Sequence, residues 1–120
     1  MPDAPGFACQ FEFTPDNSAV IIALAGKMDP EAVQDLYPQI QEVFHAGLRR
    51  FVFDLSKLEY AGSLGLRLFV GLQNQVRGEG RVAVCNLSAA MQKLFQITKL
   101  TEVLPLYATR DEALAATAKK

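Results

Sequence analysis

Three segments follow one another between Arg50 and Gln75: an apolar run, a turn with one serine and a second apolar segment. The run, residues 51–55, is rich in β-branched and aromatic side chains, which is typical of a strand buried on both faces. Residues 56–60 are polar and predict a connection, and residues 66–75 have the pattern of a helix. A buried strand that leads through a short turn into a helix favours an α/β layer.

Ser63 lies in that turn, at or beside the first residue of the predicted helix. The N-terminus of a helix carries free backbone N–H groups and the positive end of the helix dipole. An anion at this position, such as a phosphoserine or an oxyanion, would therefore meet ready donors. The simpler interpretation is that Ser63 only caps the helix through its side chain.

The chain before this stretch predicts two strands and a helix. Residues 7–14 alternate apolar with polar side chains, as in an edge strand, and residues 20–25 form a continuous apolar run. We therefore expect an antiparallel hairpin with the first strand outermost. Asp29, followed by proline and glutamate, predicts a helix start, and the apolar stripe of that helix includes Tyr37. Pro38 predicts a kink or break near Tyr37, because an interior proline removes a hydrogen bond.

The remainder continues the alternation of strands and helices. Residues 81–85 predict another buried strand, Ser88 predicts the cap of a third helix, and residues 104–107 predict a short last strand. Thr109 with a glutamate three residues later forms a capping box that starts a terminal helix through Ala118. The whole pattern predicts an α/β fold with a mostly parallel sheet after one initial hairpin.

Length and composition restrict the class of protein. The 120 residues predict one domain, with residues 1–6 as a loose lead-in, and the net charge of −1 gives no attraction to nucleic acid. Cys9 and Cys85 have no metal-ligand spacing and are predicted to be small buried hydrophobes. We expect no metal, no cofactor, no signal peptide and no membrane insertion, and hence a cytoplasmic protein.

The segment Ala-Gly-Ser-Leu-Gly at residues 61–65 differs by one residue from the nucleophile elbow of esterases. That site needs an acid and a histidine after the serine, but the chain has a single histidine, His45, which precedes Ser63. We therefore expect no catalytic residues, and we expect His45 to lie on the surface near a helix end.

The order of these motifs resembles the STAS domain family, the anti-sigma factor antagonists. Gly-Lys-Met-Asp at residues 26–29 is similar to the Gly-x-Leu-Asp that closes an early strand in that family. The central strand, the Ser63 turn and the segments at residues 77–85, 87–95 and 100–104 follow the same order, so the similarity covers roughly residues 8–117. It implies a single domain with a mixed β-sheet, an N-terminal antiparallel hairpin, otherwise mostly parallel strands, and about four helices packed mainly on one face.

The resemblance also implies a function. In typical members the turn has the sequence Asp-Ser-Ser/Thr-Gly, and a kinase that is also an anti-sigma factor phosphorylates the first serine. Ser63 matches that serine and Gly65 the glycine, whereas Gly62 replaces the aspartate and Leu64 the second hydroxyl residue. The implied partners are the anti-sigma factor/serine kinase and also a serine phosphatase. The implied partner-binding residues are Asp29, Gly62, Ser63, Leu64, Gly65 and Arg67, with Ser63 as the phosphorylation site.

The helix after Ser63 has more apolar residues than one face can bury. They surround the axis and leave only Arg67 charged in the first two turns: Leu64, Leu66, Leu68, Phe69, Val70 and Leu72. Either the third and fourth helices cover the outer ones, or an apolar patch beside Ser63 forms a binding surface. An alternative function is therefore a STAS subunit of a lipid-transport or other membrane complex, with the same surface as a permanent interface and no phosphate.

Overall fold

The computed structural model describes residues 6–118, which form one five-stranded sheet and four α-helices. The strands are β1 (Phe7–Phe13), β2 (Ala19–Met28), β3 (Arg50–Ala61), β4 (Arg81–Cys85) and β5 (Leu106–Tyr107). The helices are α1 (Pro30–His45), α2 (Ser63–Val76), α3 (Ala89–Ile97) and α4 (Arg110–Thr117), with a 3-10 turn at Leu100–Glu102. Of the predicted lead-in, all but Gly6 lies outside the described residues.

The strands lie in the order β1-β2-β3-β4-β5. β1 pairs with β2 in the antiparallel sense and forms an edge, and the other three pairs are parallel. This confirms the mixed sheet with an initial hairpin that the sequence predicted. Because each parallel pair needs a crossover, α1, α2 and α3 follow β2, β3 and β4 in turn.

The sheet has a large core on one face and a small one on the other. On the large face, Phe53 contacts Phe69 edge-on at 4.8 Å between ring centroids, and Phe69 lies 6.2 Å from Phe95. Residues of α1, α2 and α3 complete this core. On the other face, α4 places Ala113 over a small cluster formed by Ile21, Val52, Ala83 and Cys85. The helices therefore pack mainly on one face, as predicted. Cys85 is fully buried and Cys9 is half-buried.

β3 is twelve residues long, so the predicted polar connection at residues 56–60 is wrong. The segment is strand, but two irregularities in its pairing with β2 break the period of two. Between the pairs Ala23–Asp54 and Ala25–Lys57, β3 contains one more residue than β2, and a second extra residue follows Leu58. Each extra residue is a β-bulge, which shifts the side-chain alternation by one position. Leu58 consequently faces the core, although it follows two exposed polar residues.

α1 runs without interruption past Pro38, so the predicted break near Tyr37 is wrong. Pro38 lies on the exposed side of the helix, where water can hydrate the carbonyl group that the proline leaves without a donor. Leu36 and Ile40, both fully buried, hold the helix on the sheet on either side of it. Tyr37 also lies on the exposed side, with half of its surface accessible, and does not belong to the buried stripe.

Three of the predicted helix starts are confirmed by their hydrogen bonds. The Asp29 carboxylate accepts from the N–H of Ala32 at 2.9 Å, and the Ser88 hydroxyl accepts from that of Met91 at 3.2 Å. Thr109 caps α4 in the same way, by accepting from the N–H of the glutamate three residues later at 3.1 Å. Local sequence therefore determines where these helices begin.

Candidate functional site

The carboxyl ends of β2 and β3 bring two helix N-termini together at one edge of the sheet. Met28 pairs with Ala61, and the N–H of Gly62 then donates to the Met28 carbonyl at 3.2 Å. Asp29 and Gly62, the next residues on each strand, are the N-caps of α1 and α2. Of the predicted partner-binding residues, Asp29 and the Gly62–Gly65 turn therefore lie side by side.

Ser63 is the first residue of α2, not its cap. The cap is Gly62, which has extended backbone angles (φ −83°, ψ −179°) and offers no side-chain acceptor. The first intrahelical hydrogen bond runs from the N–H of Leu66 to the carbonyl of Gly62 at 3.1 Å. The N–H groups of residues 63–65 are therefore left without an intrahelical acceptor. The Ser63 side chain is exposed, and within residues 6–118 its hydroxyl makes no hydrogen bond that satisfies the usual geometry.

Gly65 has a structural role in this turn. The glycine is buried against Met28, and a Cβ atom at this position would lie 3.0 Å from the Met28 sulfur and 3.1 Å from its Cγ. Met28 itself is fully buried. A glycine at this point lets the first turn of α2 approach the end of β2 closely. That approach holds Ser63 in position and buries Gly65 beneath the turn.

The site also contains exposed aromatic residues that sequence reasoning missed. Tyr60 is 53% exposed, and its hydroxyl lies 3.2 Å from the place that a Cβ atom of Gly62 would occupy. Leu64, next to Ser63, is 42% exposed, and Tyr37 on α1 is 50% exposed. The available signal was the position of a tyrosine two residues before the glycine of the turn, close to Ser63 in sequence.

The sequence left two outcomes for the outer apolar residues of α2: burial under later helices, or exposure as a binding patch. Each outcome applies to some of these residues. Leu66 and Val70 are half-buried and pack against the main core, and Leu100 after α3 lies beside them. α4 lies on the opposite face of the sheet, so it takes no part in this coverage. Leu64 remains exposed. Among the apolar residues of α2, the exposed one therefore lies in the first turn, beside Ser63.

Arg67 lies one helical turn after Ser63, on the same side of α2, and is exposed. It lines a groove of about 300 Å³ between α1 and α2, with Tyr37 on the opposite wall. Gln41 and Gln75 bond across the groove through both amides, at 2.9 and 3.1 Å. The groove thus runs between the two helices from Arg67 to Gln75, beginning one turn after Ser63.

The geometry separates Ser63 from His45. His45 is exposed at the last residue of α1, as predicted, whereas Ser63 lies at the edge of the sheet where α1 begins. A helix of 16 residues is about 24 Å long. The imidazole is therefore far beyond the distance at which it could accept the proton of the Ser63 hydroxyl.

Two further features bear on the class of site. No group of three or more His, Cys, Asp and Glu side chains in the described part of the chain could hold a metal ion. Among residues 6–118, no helix combines the length and the apolar character that crossing a lipid bilayer requires.

Comparison with known proteins places this fold in a family. The profile of the STAS domain matches residues 10–113. BtrV of Bordetella bronchiseptica, named as a candidate anti-sigma factor antagonist, is 29% identical over 98 residues, covering 81% of this chain and 84% of that protein. The crystal structure of an anti-sigma factor antagonist from Mycobacterium paratuberculosis is 25% identical, with a TM-score of 0.84 and coverage of 99% and 98%.

A phosphorylated protein is also among the similar structures. The Bacillus cell fate determinant SpoIIAA in its phosphorylated form is 27% identical, with a TM-score of 0.70, covering 91% of this chain and 98% of that one. The profile match extends over most of the chain and includes the strand, the turn and the helix around Ser63. The chain therefore belongs to the STAS domain family.

Proposed function

We propose that this protein is an anti-sigma factor antagonist, a binding module that docks an anti-sigma factor/serine kinase through the Ser63 turn and is switched by phosphorylation of Ser63. The observation that carries the proposal is the position of Ser63. It is the exposed first residue of α2, next to the N-terminus of α1. The names of the relatives, anti-sigma factor antagonists, agree with this role.

A phosphate on Ser63 would be favoured by its surroundings. A phosphoserine carries a charge of about −1.5 to −2 near neutral pH. The free N–H groups at the start of α2 and the helix dipole favour such an anion, the dipole by about 0.3–1 kcal/mol. Arg67 lies four residues later on the same side, where a cation attracts an anion one turn nearer the N-terminus. Phosphorylation therefore requires no rearrangement of the turn.

The same phosphate would oppose docking. The surface around Ser63 combines apolar groups, Leu64 and Tyr60, with the open helix N-terminus. A partner that covers these apolar groups also covers Ser63. A phosphate under that partner would have to lose most of its hydration, and the single charge of Arg67 does not neutralise about −1.5 to −2, so the desolvation is unfavourable. We therefore propose that the unphosphorylated form binds and the phosphorylated form does not, and that a serine phosphatase restores binding.

The turn departs from the family pattern at two residues. Gly62 supplies no carboxylate to orient the Ser63 hydroxyl or to hold a cation at the kinase site, and Leu64 replaces a second hydroxyl residue. These departures favour one alternative, a STAS subunit of a lipid-transport or other membrane-associated complex. In that alternative the same apolar surface is a permanent interface, and Ser63 is never modified.

Capture of partners from the source cells separates the two functions. Tagged wild-type protein should recover an anti-sigma factor with a kinase domain, and mass spectrometry should detect phosphate on Ser63 in part of the bound or free protein. Tagged Leu64→Asp, which places a charge in the docking surface, should lose that partner while keeping its fold. Recovery of a membrane transporter by wild type, Ser63→Ala and Ser63→Asp alike would refute the phosphorylation switch and support the alternative.

A further inference from the structure

The first bulge of β3 is attached to the C-terminal helix through one buried carboxylate. Asp54 is 5% exposed and lies on the sheet face that α4 covers. Its Oδ1 accepts a hydrogen bond from the backbone N–H of Ser56 at 3.0 Å, within the bulge. Its Oδ2 accepts one from Nε of Arg110, the first residue of α4, at 2.6 Å.

The bulge determines how the rest of β3 is oriented. It inserts one extra residue between Asp54 and Lys57, and beyond it Leu58 faces the main core. A slip of one residue would turn Lys57 inward and Leu58 outward, because side chains alternate between the two faces. The segment from Lys57 to Leu58 takes its register directly from this point, and the second extra residue, after Leu58, then leads to Gly62 and Ser63.

α4 itself depends heavily on polar contacts. Its buried residues are Ala113 and Thr117, which offer little apolar area. Arg110 fixes its N-terminal end to Asp54, with a longer contact of 3.7 Å to the exposed Glu12. Arg50, at the start of β3, fixes the C-terminal end by donating to the Thr117 hydroxyl and the Leu114 carbonyl, both at 3.3 Å.

We infer that the Asp54–Arg110 contact is a positioning pair for the Ser63 turn. Docked α4 holds the Asp54 carboxylate on the bulge, and the bulge fixes the strand segment that ends at Ala61. Gly62 follows, about 20 Å from Ser56 at the usual rise per residue. Release of the N-terminal end of α4 loosens the bulge, the final strand segment and the Gly62–Met28 hydrogen bond together. This inference rests on the proposed function in one respect: it takes the Ser63 turn to be the docking surface.

Amide hydrogen exchange of the purified protein tests this coupling by NMR without any partner. The reporting groups are the N–H of Ser56 and the N–H of Gly62, and the N–H of Ile40 on α1 reports general destabilisation. In Arg110→Ala, the exchange of Ser56 and Gly62 should become at least fivefold faster relative to that of Ile40. Arg110→Lys, which keeps a cation for Asp54, should restore most of the protection at Gly62.

Arg50→Ala is the matched control, because it removes an arginine contact from the opposite end of α4. It should leave the exchange of Gly62 within twofold of wild type relative to Ile40. The inference is overturned if Arg110→Ala leaves Gly62 unchanged, if Gly62 and Ile40 accelerate equally, or if Arg50→Ala affects Gly62 as strongly. None of these results depends on a partner, so they leave the proposed function to be judged by the capture experiment.

Discussion

The N–H of Gly62 donates to the carbonyl of Met28 at 3.2 Å, and this contact joins the ends of two parallel strands. Because a helix begins immediately after each strand, Asp29 and Ser63 reach the surface side by side. The docking surface that we propose follows from this junction. Its exposed groups come from both helix starts, and its buried residues, Met28 and Gly65, hold the two starts together.

Substitutions at Leu24 and Ser63 should differ sharply in their effect on stability. Leu24 is 1% exposed in β2, between two neighbouring strands, and an unpaired charge buried there is very unfavourable. We expect Leu24→Asp to be unfolded at 25 °C and Ser63→Ala to melt within a few degrees of wild type, because Ser63 is not the cap. Thermal unfolding by circular dichroism measures both, and similar melting temperatures would contradict the assigned core.

Two glycines of α2 provide a second test of the packing. A Cβ atom at Gly65 would be 3.0 Å from the buried Met28 sulfur, whereas one at Gly71 would meet nothing within 4 Å. Gly71→Ala should stabilise the protein by about 0.4–1 kcal/mol, because alanine lowers the conformational entropy of the unfolded chain. Gly65→Ala should be less stable than Gly71→Ala by about 1–3 kcal/mol, because overpacking offsets the same gain. Urea unfolding gives both values, and equal stabilisation by the two alanines would show that Met28 moves aside freely.

The pH dependence of stability should report on Asp54. Burial raises the pKa of this carboxyl, but the N–H of Ser56 and the guanidinium of Arg110 outweigh that effect and hold the pKa below its ordinary value of 3.8. A carboxyl with a lowered pKa in the folded state stabilises the protein above its unfolded pKa, and this contribution disappears as the pH falls through the folded pKa. The loss should therefore occur below about pH 3.8.

Asp54→Asn isolates this contribution. At pH 7 the variant should be less stable than wild type by about 1–3 kcal/mol, because Arg110 loses its charged partner. The difference should shrink as the pH is lowered below 3.8. Asp16 also titrates there, since hydrogen bonds from Thr14 and Ser18 lower its pKa to about 2, but it is present in both proteins and cancels. A difference in unfolding free energy that stays constant from pH 7 to pH 2 would contradict the role of Asp54.

Restoration of the family aspartate should strengthen the switch. Gly62 has backbone angles that any residue adopts, and the nearest obstacle to a side chain is the mobile end of Tyr60, so Gly62→Asp should fold normally. The new carboxylate can orient the Ser63 hydroxyl, and its repulsion of the product phosphate is screened over about 8 Å in physiological salt. We expect faster transfer of labelled phosphate from ATP by the captured kinase.

The double variant Gly62→Asp/Ser63→Ala is the control for that experiment and should take up no label. Equal and negligible labelling of wild type and Gly62→Asp, with tight binding of the partner by both, would exclude the phosphorylation switch. The permanent-interface alternative would then account for the surface around Ser63.

Local signals in the sequence predicted most of the fold. The caps at Asp29, Ser88 and Thr109 depend on contacts over three residues, so they could be recognised directly. The extent of β3 could not be recognised, because its bulges appear only in the pairing with β2, and Asp54 in the first bulge contacts a distant residue, Arg110. Those partners are 56 residues apart in the chain.

The candidate site was predicted only in part, because some of its features are local in sequence and others depend on contacts between distant residues. Ser63 and its neighbours share one turn and were identified from sequence order alone. The assignment of Ser63 as a possible cap failed because the choice between Ser63 and Gly62 depends on where the strand ends, which the hydrogen bond to Met28 determines. The spacing of Tyr37 in the helical pattern predicted burial. Its exposure could not be predicted, because it depends on how α1 is rotated about its own axis against the sheet.

The most direct test of the docking surface is the affinity of the captured partner for two forms of this protein. Calorimetric titration would compare unmodified protein with protein phosphorylated on Ser63, and Thr101→Asp would control for added charge at an exposed position on another element, the 3-10 turn after α3. The account predicts that phosphate on Ser63 weakens binding at least tenfold, whereas Thr101→Asp binds as wild type does. Equal affinities for the phosphorylated and unmodified forms would contradict it.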